Sequence, residues 1–415
     1  MPTEYSAAAQ HSLDKREAQA TLAAGLFSNG VWDMLSVLVP LYAVAAGLSV
    51  SEVGLIVAAR SVLPAVLSIH GGILMDRWGI RRTLVWISVA SFILPILYPI
   101  SGWFTFLVVL QLTLGLAGSL AMAAAQTWSL QSSRGDTAML ARFSVVSRLG
   151  TFIGPVVVGA IWDAYGAWAA FTCISLFAAG MLAAAGHGAP SRVPQAKVAE
   201  QTRPLSSRGL SALLPRWAEH REALVLAAIP AVAFVLAVSF LRNAPGAIQA
   251  SFYVVYLGDI GFTGTMIGML VGFCELAGIL GAFMAARMER VVRPHTLVIV
   301  CIASSVIAIA ITPLIGNLLA LLFVAAAVRG VAQGVSQPLM YSLLGQAVPP
   351  SVHGATVGLR NSVTRLASII TPAVMGAAAE VWGIKASFYV VGLLLLAGTG
   401  GLAARVMHRK TNRLT

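Results

Sequence analysis

The sequence predicts an all-α integral membrane protein in which about twelve transmembrane helices form two pseudo-symmetric six-helix bundles. Three features support this prediction: the composition, the length of the apolar runs and an internal repeat. Of the 415 residues, 58% are hydrophobic and only 10% are charged, and the mean hydropathy is +0.85. Soluble domains carry about 25% charged residues, so this composition indicates that most of the chain lies in lipid.

Apolar runs of membrane-spanning length recur along the whole chain, since a helix needs roughly 20 residues to cross a bilayer. Glycine, alanine and serine are frequent within these runs, as close helix packing in lipid requires. The first run is too long for the hydrophobic part of a cleavable signal. The cysteines, Cys173, Cys274 and Cys301, lie inside apolar runs without metal-ligand or disulfide spacing, so we expect no metal site.

A polar, basic and proline-containing segment, residues 188–222, divides the apolar runs into six and six. Such a composition is typical of a loop between packed units. We therefore predict an N-terminal six-helix bundle at 1–187, a cytoplasmic linker at 188–222 and a C-terminal six-helix bundle at 223–415.

The two halves of the chain are related by a sequence repeat. At an offset of 217 positions, the fifth apolar run matches the eleventh, and at an offset of 214 the first two runs match the seventh and eighth. The matched pairs are Arg148 and Arg365, Pro155 and Pro372, Gly159 and Gly376, Asp163 and Glu380, Asn29 and Asn243, and Gly54 and Gly268. Repeats in the same orientation occur in secondary transporters, which hold their substrate between the halves near the middle of the membrane.

Lysine and arginine are concentrated in the loops on one side of the predicted bundle, which the positive-inside rule assigns to the cytoplasm. Arg77, Arg142 and Arg287 are examples, and Lys385 is an exception on the other side. We therefore predict that both termini and residues 188–222 are cytoplasmic. The same rule explains the net charge of +12, so nucleic-acid binding is not expected.

The stretch GGILMDRWGIRR, residues 71–82, ends the second apolar run. Membrane anchoring explains its arginines, and a glycine permits a tight turn, but neither explains its acid. An acid at this boundary favours one arrangement of the halves if it faces a helix N-terminus or a neighbouring arginine. The expected partner is the start of the eleventh apolar run, near Ser351–Gly354. We therefore predict a gating motif, which consists of Gly72, Asp76, Arg77, Gly79, Arg81 and Arg82.

These residues resemble the signature between the second and third helices of the major facilitator superfamily, with Leu74 also matching and Ile80 departing from the pattern. A weaker copy with Glu289 and Arg290 follows in the second half. The resemblance covers the whole chain. It implies a secondary transporter that works by alternating access, in which Asp76 stabilises the outward-open state, and it says almost nothing about the substrate.

The fifth apolar run, RLGTFIGPVVVGAI, partly resembles the signature of antiporters and drug exporters in the same superfamily. The matching residues are Gly150, Gly154, Pro155 and Gly159, whereas Val158 stands where a second glycine is usual. The resemblance implies drug/proton antiport. The alternative is an ordinary membrane helix kinked by glycine and proline.

Ionisable side chains within membrane spans are costly and usually face a cavity. Asp33 and Glu275 are the candidates for proton coupling, because carboxylates exchange protons and guanidinium groups do not. The alternative is that these charges form structural pairs, for example Arg60 with Asp33. The candidates for the substrate cavity are Asn29, Arg60, Gln126, Arg148, Arg242, Asn243, Arg329, Gln333, Gln337 and Arg365.

Three functions are compatible with these features. The first is proton-coupled export of a small amphipathic compound across the bacterial cytoplasmic membrane, by a monomer. The second is uptake or exchange of an organic anion or siderophore-like compound, because buried arginines outnumber buried acids. The third is a membrane sensor that does not transport. An enzyme is not expected, nor is a bound cofactor, and the absence of a P-loop argues against ATP-driven transport; the proton gradient is the expected energy source.

Overall fold

The computed structural model describes residues 2–133, 136–187, 230–347 and 353–411. The predicted linker at 188–222 and the predicted domain boundary at 223 lie outside the described residues. Within the described ranges the chain is helical and forms α1 (Pro2–Ala45), α2 (Val50–Trp78), α3 (Ile80–Ile93), α4 (Phe104–Ser133), α5 (Thr137–His187), α6 (Pro230–Ile248), α7 (Val254–Asp259), α8 (Gly264–Val291), α9 (Pro294–Ala310), α10 (Thr312–Ile315), α11 (Leu319–Ala347) and α12 (His353–Thr411).

Two of the long helices, α5 and α12, each contain two membrane passes. They bend at Gly166 and Gly383, where φ is 75° and 81°. Glycine suits both positions because positive φ strains residues that carry a Cβ atom. The two bends are separated by the same offset as the sequence repeat. When α5 and α12 are divided there, and the short helices α7 and α10 are counted with α6 and α9, which they continue, the described part of the chain makes the twelve passes that the sequence predicts.

Each half of the molecule packs around its own hydrophobic core. In the first half, Leu38, Ile56 and Leu107 are buried together with stacked rings of Tyr98 and Phe171, whose centroids are 4.7 Å apart. In the second half, the larger core includes buried Phe252, Ile267, Val306 and Phe388. Apolar side chains also cover much of the outer surface, as a lipid-facing protein requires. The all-α membrane fold predicted from the sequence is therefore confirmed.

The two halves meet along two helix pairs, α5 with α8 and α2 with α12. Gly268 lies against the Pro155 carbonyl, and its repeat partner Gly54 lies against the Pro372 carbonyl. A Cβ atom at either glycine would overlap the facing carbonyl oxygen. Small residues at these crossings allow close backbone approach in lipid, so the repeated glycines hold the halves together at equivalent places.

Candidate functional site

A cavity of about 700 Å³ lies between the two halves. Its walls come from α1, α2 and α4 of the first half and from α6, α8, α11 and α12 of the second. This volume falls in the range of small-molecule sites, roughly 300–1,000 Å³. Two exposed lining residues, Gln126 and Asn361, lie near the predicted cytoplasmic ends of their helices.

The cavity lining is polar and carries more positive than negative charge. Its carboxylates are Asp33 and Glu275. Its guanidinium groups belong to four arginines, Arg60, Arg242, Arg360 and Arg365. Hydroxyl and amide groups complete the polar lining, from Ser36, Ser61, Ser119, Gln126, Asn243, Gln249, Gln333, Gln337, Asn361, Ser362, Thr364 and Ser368.

Two arginines from opposite halves converge on Trp32. The guanidinium carbon of Arg60 lies 3.6 Å from the centroid of the indole ring, and that of Arg365 lies 5.4 Å from it. Arg60 Nη2 donates a hydrogen bond to the Trp32 carbonyl oxygen, and Arg365 Nη2 donates to Ser119 Oγ at 3.0 Å. Cation–π contacts of this kind stabilise desolvated guanidinium groups, so Trp32 holds both cations beside the cavity.

A second cluster surrounds Glu275. Its carboxylate lies 3.8 Å from Arg148 Nη1, which reaches across from the first half. Arg242 and Arg329 are also close enough to interact with the charge of Glu275. Arg242 is oriented by hydrogen bonds, since its Nε donates to Ser336 Oγ at 2.7 Å and its Nη2 donates to the Gln333 carbonyl at 2.9 Å.

The structure brings most of the predicted cavity residues together, but three lie outside the lining. The Asn29 amide donates to the Gly25 carbonyl of its own helix at 2.8 Å. Arg329 is only 1% exposed and lies 4.6 Å above the Tyr253 ring, behind the cavity wall. Arg148 lies beside the cavity and reaches it through Glu275. The rotation of each helix about its own axis decides which of its residues face the cavity. A helix that is apolar on all sides gives little sequence signal for that rotation.

Several polar lining residues were missed by the sequence analysis, among them Ser61, Ser119 and Arg360. Serine is common in packed membrane helices and carries no distinctive signal on its own. Arg360 lies near the start of its span, where an arginine is ordinary under the positive-inside rule. Ser61 could have been found from the sequence, because the repeat offset of 214 makes its position equivalent to that of Glu275.

The predicted gating motif is described in part. The side chains of Asp76 and Arg77 and the surroundings of Gly72 lie outside what the structure describes, and so do the proposed partners near Ser351–Gly354. Gly79 ends α2 with a φ of 83°, as a tight turn requires. Arg81 donates hydrogen bonds of 2.5 Å to the Ala185 and Gly186 carbonyls at the end of α5, while Arg82 is exposed. Arg81 therefore satisfies helix C-terminal carbonyls.

The antiporter-like motif packs α5 against two neighbouring helices. Gly150 lies against the Leu26 carbonyl of α1, and Gly154 lies against Met34 and Gly30 of the same helix. Pro155 and Gly159 face α8 of the other half. In this structure the motif is thus a surface of close helix contact, part of which joins the halves.

An acid at the end of this helix contact joins the halves at the side opposite the predicted cytoplasmic loops. Asp163 accepts hydrogen bonds from the Gly264 and Thr265 backbone N–H groups, both at 2.7 Å, and from Thr265 Oγ1 at 2.6 Å. Gly264 begins α8, so the carboxylate caps a helix N-terminus of the other half, which its dipole favours. We call this contact the Asp163 latch.

The repeat does not duplicate the Asp163 latch. Its counterpart Glu380 is exposed and has no hydrogen bond or ion pair among the described residues. The equivalent helix, α2, is instead capped within its own half by Ser49 and Glu52. The Asp163 latch is therefore an asymmetric feature of an otherwise symmetric interface.

Two helical halves of like orientation that enclose a charged cavity are the architecture of a secondary transporter. The chain belongs to the Major Facilitator Superfamily, since the model of that family matches residues 21–246 and 235–413. This result confirms that the protein is an integral membrane transporter and not an enzyme. A comparison with curated proteins finds no match.

Solved transporters share the fold. The nucleoside transporter NupG superimposes with a TM-score of 0.75 at 12% identity, over 93% of this chain and 98% of its own. A POT family transporter, solved with a thioalcohol-conjugated peptide, gives 0.71 at 13% identity, over 95% and 96%. A bacterial homolog of the human lysosomal transporter Spinster, solved inward-facing and unoccupied, gives 0.69 at 11% identity, over 94% and 96%. Identities this low show a common fold alone.

Proposed function

We propose that the protein transports a small polar organic anion across the cytoplasmic membrane by alternating access. The observation that carries this proposal is the charge of the cavity, where four arginines line the wall with two carboxylates. An excess of positive charge in a membrane-embedded cavity favours an anionic ligand, since guanidinium groups stay charged and bind carboxylate or phosphate in a bidentate manner.

The polar lining also favours a ligand that forms many hydrogen bonds. Amide and hydroxyl groups come from both halves, including Gln126, Gln333, Gln337 and Ser368. Asn243 is already engaged, because its Nδ2 donates to the Thr364 carbonyl at 3.0 Å and to Ser368 Oγ at 2.8 Å. A mainly apolar compound that excludes water would leave the side-chain amides of Gln126, Gln333 and Gln337 in the cavity lining without partners, which is unfavourable. The cavity thus supports the organic-anion hypothesis over export of an amphipathic compound.

We further propose that the proton gradient drives transport through Asp33. Its carboxylate lines the cavity and has no hydrogen bond or ion pair among the described residues, although Arg60 and Glu275 lie within electrostatic range. An acid that is not tied to a partner can bind and release a proton as the cavity changes its access. The protein would work as a monomer, with both termini in the cytoplasm and no bound cofactor.

The proposal predicts selective transport of anions by purified protein in liposomes. With an imposed pH gradient, we expect gluconate or glucose 1-phosphate to enter at least about tenfold faster than glucose or choline, because the excess positive charge of the cavity attracts anions, repels cations and does not act on a neutral sugar. Thermal stabilisation in detergent by the same compounds would identify binding without transport. Transport of choline or glucose with exclusion of both anions would contradict the proposal.

A further inference from the structure

The repeat places Ser61 of the first half where Glu275 stands in the second half. Gly115 of α4 lies against the Arg60 carbonyl, and Gly330 of α11 lies against the Cys274 carbonyl in the same way. Arg60 and Cys274 therefore occupy equivalent positions, and so do the residues that follow them. This structural match agrees with the offset of 214 that relates Gly54 to Gly268.

The repeat-related arginines, Arg148 and Arg365, each extend from one half to contact the other half, but their partners differ. Arg148 reaches from α5 to the Glu275 carboxylate at 3.8 Å. Its counterpart Arg365 reaches from α12 to the Ser119 hydroxyl at 3.0 Å and to the Trp32 ring. The second-half site thus pairs its arginine with an acid, whereas the described contacts of Arg365 are a hydroxyl and an aromatic ring.

The first-half site also contains an additional cation. Arg60 stands at the position equivalent to Cys274 of the other half. Its side chain is only 6% exposed and lies on the Trp32 indole ring, as does that of Arg365. Within the described ranges, no carboxylate oxygen lies within 4.0 Å of a side-chain nitrogen of either arginine, which is the distance limit for an ion pair. Asp33 interacts electrostatically with Arg60 but forms no ion pair with it, and Arg365 repels Arg60. Two neighbouring guanidinium groups that share no directly paired anion are unfavourable away from bulk water.

We propose that the carboxylate or phosphate of the substrate binds between Arg60 and Arg365, in the place that the Glu275 carboxylate occupies in the other half. This inference rests on the proposed function and adds the site at which the anion is recognised. The hydroxyl groups of Ser61 and Ser119 line the same wall and supply further hydrogen-bond donors.

This placement explains how binding would be linked to the arrangement of the halves. Arg60 belongs to α2 of the first half and Arg365 to α12 of the second, so a bound anion contacts both. Glu275 already joins the halves through Arg148 at the equivalent place. A substrate anion would therefore complete a second charged contact across the cavity, and it would favour the state in which both arginines are close.

The proposal is tested by giving the first-half site its own carboxylate with Ser61→Glu. We expect this side chain to occupy the anion site and to weaken binding of gluconate and glucose 1-phosphate by about tenfold or more, since like charges at one site exclude each other. Ser61→Gln matches the size without the charge, so the difference between the two variants measures the effect of charge.

A measurement without ligand tests the same site. Ser61→Glu should melt at a higher temperature than Ser61→Gln in detergent, because its carboxylate relieves the repulsion between the arginines. The gain should be much smaller when both are compared in an Arg365→Gln background, because only Arg60 then remains to interact with the new carboxylate.

The outcomes separate this site from the proposed function. Anion binding by Ser61→Glu at the strength of Ser61→Gln, or equal melting temperatures of the two variants, would overturn the site while anion transport by the natural protein still stood. Failure of every anion to bind or move with the natural protein would overturn the proposed function. In that case a melting gain that depends on Arg365 would still show that Arg60 and Arg365 form a cationic site, but the proposal that a substrate anion binds there would fall.

Discussion

Asp33→Asn is expected to abolish uphill transport driven by a pH gradient while leaving downhill exchange of the same substrate. Asparagine keeps the size and polarity of the side chain but cannot take up or release a proton. The carboxylate lines the cavity near Arg60, so its loss should affect coupling rather than folding. We expect the accumulation ratio to fall to that of liposomes without a gradient.

This prediction is measured in liposomes as gradient-driven accumulation and as exchange of labelled for unlabelled gluconate or glucose 1-phosphate. Asp259→Asn is the matched control, because it makes the same change at an exposed acid near the end of α7. Full accumulation by Asp33→Asn would show that this residue does not carry the coupling proton. Loss of exchange together with accumulation would instead assign Asp33 to substrate binding.

Asp163→Ala is expected to open the contact between the halves at the ends of α5 and α8. The change removes three hydrogen bonds to a carboxylate at a helix N-terminus. Because the contact is exposed, we expect a loss of about 2 kcal/mol in total, which shifts the balance between closed and open forms roughly 30-fold. The altered balance should slow net transport without preventing folding.

Opening at this end can be followed with Ser51→Cys, since Ser51 contacts Gly376 of the other half on the same side of the molecule. A maleimide that does not cross membranes should label this cysteine faster after Asp163→Ala. The matched control is Glu380→Ala, which truncates the repeat-related acid that holds no described partner. Equal labelling rates in the two variants would show that the Asp163 latch does not keep this end closed.

Much of the fold was determined by the sequence alone. The length of the apolar runs predicts the passes because a bilayer has a fixed thickness. The repeat predicts equivalent positions, and the structure places bends at Gly166 and Gly383 and close contacts at Gly54 and Gly268 accordingly. The presence of charged side chains in a cavity was also predictable, since an ionisable group inside a membrane needs water or a partner.

The tertiary structure alone decided which of those charges meet. Arg148 pairs with Glu275 and Arg365 lies on Trp32, although the repeat makes the two arginines equivalent. Asp163 caps a helix of the other half, whereas Glu380 does not. These contacts join residues more than a hundred positions apart, and they depend on how each helix is rotated about its axis. The sequence of a helix that is apolar on all sides does not indicate how the helix is rotated, so only packing between the two halves fixes the rotation.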